Sequence, residues 1–149
     1  MARTTNQAGI ELIESFEGLR LVSYQDQRGI WTIGYGHTRG VGPSMHITRD
    51  QAEQALRDDI AGAEGAVNRA IGEADTTDNQ FAAMVSLCFN IGSGNFATSS
   101  VLRDHCAGDN QAAGDAFLLW NKTHIDGVLT VVAGLTRRRE AERTLYVTP

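Results

Sequence analysis

The chain has 149 residues, 42% of them hydrophobic and 21% charged, and carries a formal net charge of −5. That length supports one domain with a buried core, and the acidic balance argues against nucleic acid and against strong capture by an anionic surface. The longest apolar runs are too short and too interrupted to span a bilayer, and Met1 to Gln7 lacks the apolar stretch of a secretory signal.

In chain order, the first helix is expected from about Asn6 to Glu17, with Thr5 or Asn6 as its cap and Gly18 at its end. Between Leu19 and Thr38, Tyr24, Ile30, Trp31, Ile33 and Tyr35 occur among glycines, the pattern of short strands with turns. Thr48-Arg49-Asp50-Gln51 matches a capping box, and behind it Ala52, Leu56, Ile60, Ala63 and Val67 keep helical spacing towards Gly72. A second box, Thr77-Asp78-Asn79-Gln80, opens the most apolar helix, which carries Phe81, Met84, Val85, Leu87, Cys88 and Ile91. Further helices are expected near Ser100–Cys106, Gln111–Asn121 and Leu135–Tyr146, with Asp126-Gly127 as a turn between the last two. The basic run Arg137-Arg138-Arg139 with Arg143 reads as a solvated helix face. No repeats, low-complexity tracts or linkers interrupt the pattern. The class is therefore α+β and mostly α, with a small N-terminal β-sheet lobe and a larger helical lobe.

Cys88 and Cys106 form neither a C-x-x-C pair nor a metal spacing, and Cys88 reads as a buried free thiol on an apolar helix face. His46, His105 and His124 show no H-E-x-x-H spacing, so neither a metal site nor any cofactor is expected.

Three acids lie on the first helix, and they are not equivalent. Ile10, Leu12, Ile13 and Phe16 fill one arc of the helical wheel, and Glu17 falls inside it while Glu11 and Glu14 fall outside. Glu17 is also the last residue before Gly18, at the negative end of the helix dipole. Both effects favour a neutral carboxyl, the form that can protonate a leaving sugar oxygen. In Trp31-Thr32-Ile33-Gly34-Tyr35-Gly36-His37-Thr38, an alternating strand would put Trp31, Ile33, Tyr35 and His37 on one face. Thr32, Gly34 and Gly36 would share the other, small enough for a ligand to approach closely. Asp26 taken alone is a turn residue.

Phe16-Glu17-Gly18, then Tyr24-x-Asp26, then Thr32-Ile33-Gly34-Tyr35-Gly36-His37-Thr38 closely resembles the active-site signature of the phage-type (T-even) lysozymes. The steps of nine residues from Glu17 to Asp26 and six to Thr32 match that family's Glu/Asp/Thr triad. Ile47-Thr48-x-x-Gln51-Ala52, Phe89-Asn90-Ile91-Gly92-x-Gly94-Asn95-Phe96, Trp120 and Gly134-Leu135-x-x-Arg138-Arg139-x-Ala141 resemble its later landmarks, so the likeness runs from about Ile10 to Leu145.

The resemblance implies one lysozyme domain over 1–149, with a β-containing lobe at about 12–60 and a helical lobe at about 61–149 plus the start of the first helix. The helix Thr48–Ile71 would join the lobes across a cleft. It implies an endolysin, a muramidase hydrolysing the β-1,4 bonds between N-acetylmuramic acid and N-acetylglucosamine of peptidoglycan. Glu17 would protonate the leaving oxygen, Asp26 activate or balance the attacking water, and Thr32 hold that water. Gly34, Gly36, Phe89, Asn90, Ser99 and Ser100 would touch the glycan. An arginine at the start of the last helix would approach the acid, with Arg137 the first choice and Arg138 the second. His37 would pair with Asp59 in a structural role. The expected partner is a peptidoglycan strand bound by a monomer. The protein would be made in the host cytoplasm without a signal peptide and act on the wall in the periplasm after holin-type release.

Overall fold

A computed structural model describes residues 2–149. In chain order it contains α1 (Gln7–Glu17), β1 (Arg20–Gln25), β2 (Trp31–Gly34), α2 (Arg49–Ile71), α3 (Asp78–Ile91), α4 (Ser93–Ala97), α5 (Ser100–Cys106), α6 (Asn110–Ala116), β3 (Lys122–Ile125), β4 (Val128–Val131) and α7 (Ala133–Val147). A single turn of 3₁₀ helix, Phe117–Leu119, follows α6. The chain divides into two compact units, Ile13–Gly62 and Met1–Leu12 with Ala63–Pro149, so the boundaries fall within α1 and α2. No helix among the described residues is long and apolar enough to cross a membrane.

Local chemistry sets the helix ends. At the start of α1 the Asn6 side-chain oxygen accepts from the Gly9 N–H at 3.0 Å. At its end Gly18 takes φ +74° and donates to the Glu14 carbonyl, a left-handed stop that glycine allows without a Cβ penalty. Both capping boxes form. Gln51 N–H donates to Thr48 Oγ1 at 3.1 Å while Thr48 N–H donates back to Gln51 Oε1 at 2.9 Å. Thr77 and Gln80 repeat the arrangement at the head of α3. Each box satisfies two amides that would otherwise lack partners, worth about 1 kcal/mol of stability.

In the unit Ile13–Gly62, antiparallel β1 and β2 pair Tyr24 with Thr32 and Gln25 with Trp31, and the register is irregular between Arg20 and Tyr24. Its core comprises Ile13, Ile33, Tyr35, Ala52, Leu56 and Ile60. The larger unit is organised by α3, whose residues from Gln80 to Cys88 are all buried. Phe96, Val101, Ala113, Phe117 and Tyr146 complete its core. Cys88 is buried and free, Cys106 exposed and free, and burial pushes the Cys88 thiol up to about 11. A thiol so protonated is no nucleophile.

Four expectations need correction. The strand beginning at Trp31 stops at Gly34, because Gly34 and Gly36 take φ +66° and +85° and the chain turns back. Ile33 and His37 then exchange both backbone hydrogen bonds at 2.9 Å, so Thr32, Gly34 and Gly36 do not share a strand face. Phe16 is 36% exposed rather than inside the apolar arc, which narrows to the buried pair Ile10 and Ile13 with half-buried Leu12. The segment around Asp126-Gly127 is not a bare turn between helices. It is a hairpin in which Asp126 and Gly127, at φ 50° and 78°, join β3 to β4. Strand structure therefore is not confined to the N-terminal lobe.

The fourth correction concerns the basic run, which is not a solvated face. Arg138 is 4% exposed and Arg139 0%. Glu142, three and four residues on, lies 2.8 Å from Arg139 Nε and 3.4 Å from Arg138 Nε, and this pairing permits the burial.

Candidate active site

The smaller unit contains Glu17, Asp26, Thr32, Gly34, Gly36, His37 and Asp59 together. Asp26 opens the connection from β1 to β2 and builds it. Its Oδ1 accepts from the Arg28 N–H at 2.8 Å and the Ile30 N–H at 2.9 Å, while its carbonyl accepts from Gly29 N–H. Gly29, at φ +79°, supplies the left-handed residue this tight turn requires. Such bonds to the charged form hold the Asp26 carboxyl below the usual aspartate range. The Ile30 amide is the largest cause and Arg28 adds to it, against a smaller upward push from desolvation. Asp26 is thus a persistent carboxylate, suited to accepting a proton and not to supplying one.

Thr32 is fastened to the same turn. Its hydroxyl donates to the Ile30 carbonyl at 2.9 Å, and the Asp26 N–H donates to that same carbonyl at 2.9 Å. The backbone of Ile30 therefore fixes both side chains, its N–H holding the Asp26 carboxylate and its carbonyl holding the Thr32 hydroxyl. The Thr32 proton is committed, which leaves its oxygen as an acceptor, and the residue is only 4% exposed. Asp26 Oδ2 has the Arg28 guanidinium at 3.7 Å. The backbone of Ile30 and the guanidinium of Arg28 are the parts that reading side chains in sequence missed. The Asp-x-x-Gly turn signal could have indicated the backbone bonds, though not their link to Thr32.

The two glycines differ in role. Gly34 is buried, and a Cβ there would lie 3.3 Å from Ala52 Cβ and 3.4 Å from Ile47 Cδ1, so the close approach at Gly34 is by α2. Gly36 is exposed, and a Cβ on it would lie 3.4 Å from Glu17 Oε1. The bare backbone at Gly36 keeps the space beside that carboxyl open. Glu17 itself is half-buried at the last position of α1. His37 Nδ1 lies 2.8 Å and 3.1 Å from the two oxygens of Asp59, tying the loop after β2 to α2.

The remaining candidates belong to the larger unit. Asn90 is exposed at the end of α3 and Phe89 beside it is half-buried. Ser99 is buried as the N-cap of α5, its hydroxyl donating to Phe96 O at 2.7 Å and accepting from Leu102 N–H at 3.2 Å. That occupies Ser99 with capping and leaves it little to offer a ligand. Ser100 is half-buried, and Arg137 is exposed on the first turns of α7, beside buried Arg138. Among the described residues no group of three or more His, Cys, Asp or Glu side chains could hold a metal ion.

The chain and its fold have known relatives. The family model "Phage lysozyme" matches residues 14–142. The endolysin of Acyrthosiphon pisum secondary endosymbiont phage 1 is 42% identical over 141 residues, covering 95% of this chain and 96% of that protein. The endolysin of Salmonella phage P22 is 40% identical over 144 residues, covering 93% and 94%. Among solved structures, the muramidase domain of SpmX from Asticaccaulis excentricus superposes with a TM-score of 0.92 at 41% identity, over 99% of each chain. The mostly helical α+β architecture is the lysozyme fold, and the chain belongs to the phage lysozyme family.

Proposed function

We propose that this lysozyme hydrolyses the β-1,4 bond between N-acetylmuramic acid and N-acetylglucosamine by direct attack of water, with inversion at the reacting carbon. The observation that carries the assignment is the Ile30 backbone, whose N–H and carbonyl hold a persistent carboxylate and a threonine acceptor in the unit that also contains Glu17. Two acceptors so placed can take both protons of one water and aim its lone pair at the sugar carbon. A direct carboxylate nucleophile would need no such partner. The nearly buried Thr32 hydroxyl favours one ordered water over bulk solvent.

Each residue then has a defined task. The Glu17 carboxyl donates its proton to the glycosidic oxygen as the bond to carbon breaks. The water attacks that carbon from the opposite side, and its proton passes to the Asp26 carboxylate. Gly36 leaves room for the glycan beside Glu17. His37 and Asp59 hold the loop in position. The protein works as a monomer on the wall of the host, released from the cytoplasm through a holin-type pore.

The test is Glu17→Gln, which keeps the shape and removes the proton. General acid catalysis contributes roughly 10²–10⁴-fold, so the variant should retain the wild-type circular dichroism spectrum and clear peptidoglycan slower by about that factor. Clearing at the wild-type rate would overturn the assignment.

A further inference from the structure

At the head of α3, within the larger unit, lies a hollow of about 540 Å³. Gln80 in its wall and Asn90 stand roughly 15 Å apart along the helix, so the hollow is separate from the glycan candidates at the other end of α3. Only 7% of Gln80 is exposed. Its Oε1 accepts from the Thr77 N–H at 2.9 Å, and an N–H can face only the oxygen of a carboxamide, so Nε2 points the other way. Nε2 faces the hollow and meets no acceptor among the described residues. A donor so enclosed is poorly hydrated, and an oxygen arriving from outside gains most at such a place.

The charges around it are also unequal. Asp78, Asp104 and Asp115 each lie beside an arginine, at 3.0, 3.1 and 2.7 Å. Glu73 and Asp75, exposed in the lining of the hollow, form no ion pair among the described residues. Their loop is pinned: Gly72 turns it at φ +52°, and Thr76 is held by the Ala74 carbonyl at 2.9 Å and the buried His105 ring at 2.8 Å. Arg3 lines the same hollow. Its backbone exchanges two bonds of 2.9 Å with the Asn68 side chain, and its guanidinium uses Nη1 for Asp78, which leaves further N–H donors.

The lining thus offers two carboxylates for an amine, an amide donor for a carbonyl and a guanidinium for a carboxylate. An N-acetylated glycan strand has no amine, whereas the peptide stems of the wall carry all three groups. We infer that this hollow binds a peptide stem of peptidoglycan, with the side-chain amine of its diamino acid at Glu73 and Asp75, a peptide carbonyl at Gln80 Nε2 and a stem carboxylate at Arg3. This rests on the proposed reading of the protein as a peptidoglycan hydrolase and adds a second point of attachment to it. A chain of net charge −5 gains no general attraction from an anionic wall, so attachment through the amines of the wall suits it. A stem held there keeps neighbouring strands at high local concentration.

Binding is measured by ¹H–¹⁵N NMR of the whole chain, titrated with a glycan-free stem tetrapeptide and with the same peptide acetylated on its side-chain amine. The Gln80 NH₂ signals should shift saturably with the free peptide, and acetylation should raise Kd about fivefold. Glu73→Gln with Asp75→Asn changes only exposed side chains and should raise Kd by the same factor at an unchanged Tm. That double variant should also show a raised KM on intact peptidoglycan, with wild-type kcat and KM on peptide-free glycan strands. No shift at Gln80, or equal binding of the free and acetylated peptides, would overturn the inference. So would equal binding of a lysine tripeptide without carboxylates, which would assign the hollow to basic peptides in general. Hydrolysis of peptidoglycan without stem binding would overturn this inference alone. Stem binding without hydrolysis would overturn the functional reading and leave the hollow its ligand.

Discussion

Asp26 and Glu142 are both carboxylates held by hydrogen bonds beside arginine, and their surroundings push them in opposite directions. Asp26 stands in a solvent-facing turn, where backbone amides and Arg28 hold its pKa down. Glu142 is fully buried between α7 and α3, bonded to the Ser86 hydroxyl at 2.5 Å and flanked by Arg138 and Arg139. Burial pushes Glu142 up against the pull of both arginines and Ser86, and the same burial pushes Arg139 down. The charge proposed to do chemistry is kept charged by backbone donors of a surface turn. A charge that organises a core is costly to desolvate, and it persists only because its partners are equally buried.

That contrast predicts a division of effects, the largest at Glu142. Glu142→Ala leaves two arginines buried without their counter-charge, which costs about 3–5 kcal/mol. Urea unfolding should report a loss of that order, and a loss below about 1 kcal/mol would show that the network contributes little. At Asp26 the expected outcome is reversed. Asp26→Asn keeps an oxygen for the amides of Arg28 and Ile30 but loses the charge that accepts a proton. Lytic activity should fall about 10²-fold or more while the urea midpoint stays close to wild type. An unfolding midpoint that dropped together with activity would make Asp26 a turn former and nothing else.

The smallest expected effect concerns His105, another buried titratable group of the larger unit. Its Nε2 lies 2.8 Å from Thr76 Oγ1, and Thr76 donates to the Ala74 carbonyl, so His105 donates from Nε2. Burial lowers the His105 pKa below its usual value, which favours the neutral ring. Nδ1 of that neutral ring accepts from the Tyr146 hydroxyl at 2.5 Å, and Asn110 Oδ1 lies 3.4 Å from the same hydroxyl. Between the folded value and the unfolded value near 6.5 the unfolded chain binds more protons. The contribution is thus fully present above about pH 6.5 and is lost as pH falls from there through the folded value. NMR titration should place the His105 midpoint below 6.5, and His105→Gln should flatten the fall in stability between pH 7 and pH 5. A midpoint above 6.5 would contradict this account.

How far these features could be read from sequence varied with how local their causes were. The capping boxes at Thr48 and Thr77 and the stop at Gly18 are written in a few adjacent residues, and the helices start and end there. The Asp126-Gly127 turn was equally legible, but the strands beside it were not. Nearly every residue of β3 and β4 is exposed, so no alternation of buried and polar side chains marks them. The burial of Arg138 and Arg139 depends on Ser86 and Asn90, about fifty residues away, which no local pattern of charge can show. The five-residue helix α4, among glycines, is too short for a periodic signal. At the site, Glu17, Asp26 and Thr32 stood out as a spaced motif, whereas the backbone of Ile30 that joins two of them is invisible to any reading of side chains.

The most direct test of the central claim, that water held by Asp26 and Thr32 attacks opposite the leaving group, is the configuration of the first product. Time-resolved NMR of a short peptidoglycan oligomer distinguishes the anomers before they interconvert. Attack by a held water on a β-linked glycan gives the α-anomer first, with an ordinary reducing end. An initial β-anomer would make Asp26 a nucleophile or implicate the acetamido group of the substrate, and an anhydro end would exclude water from the reaction altogether.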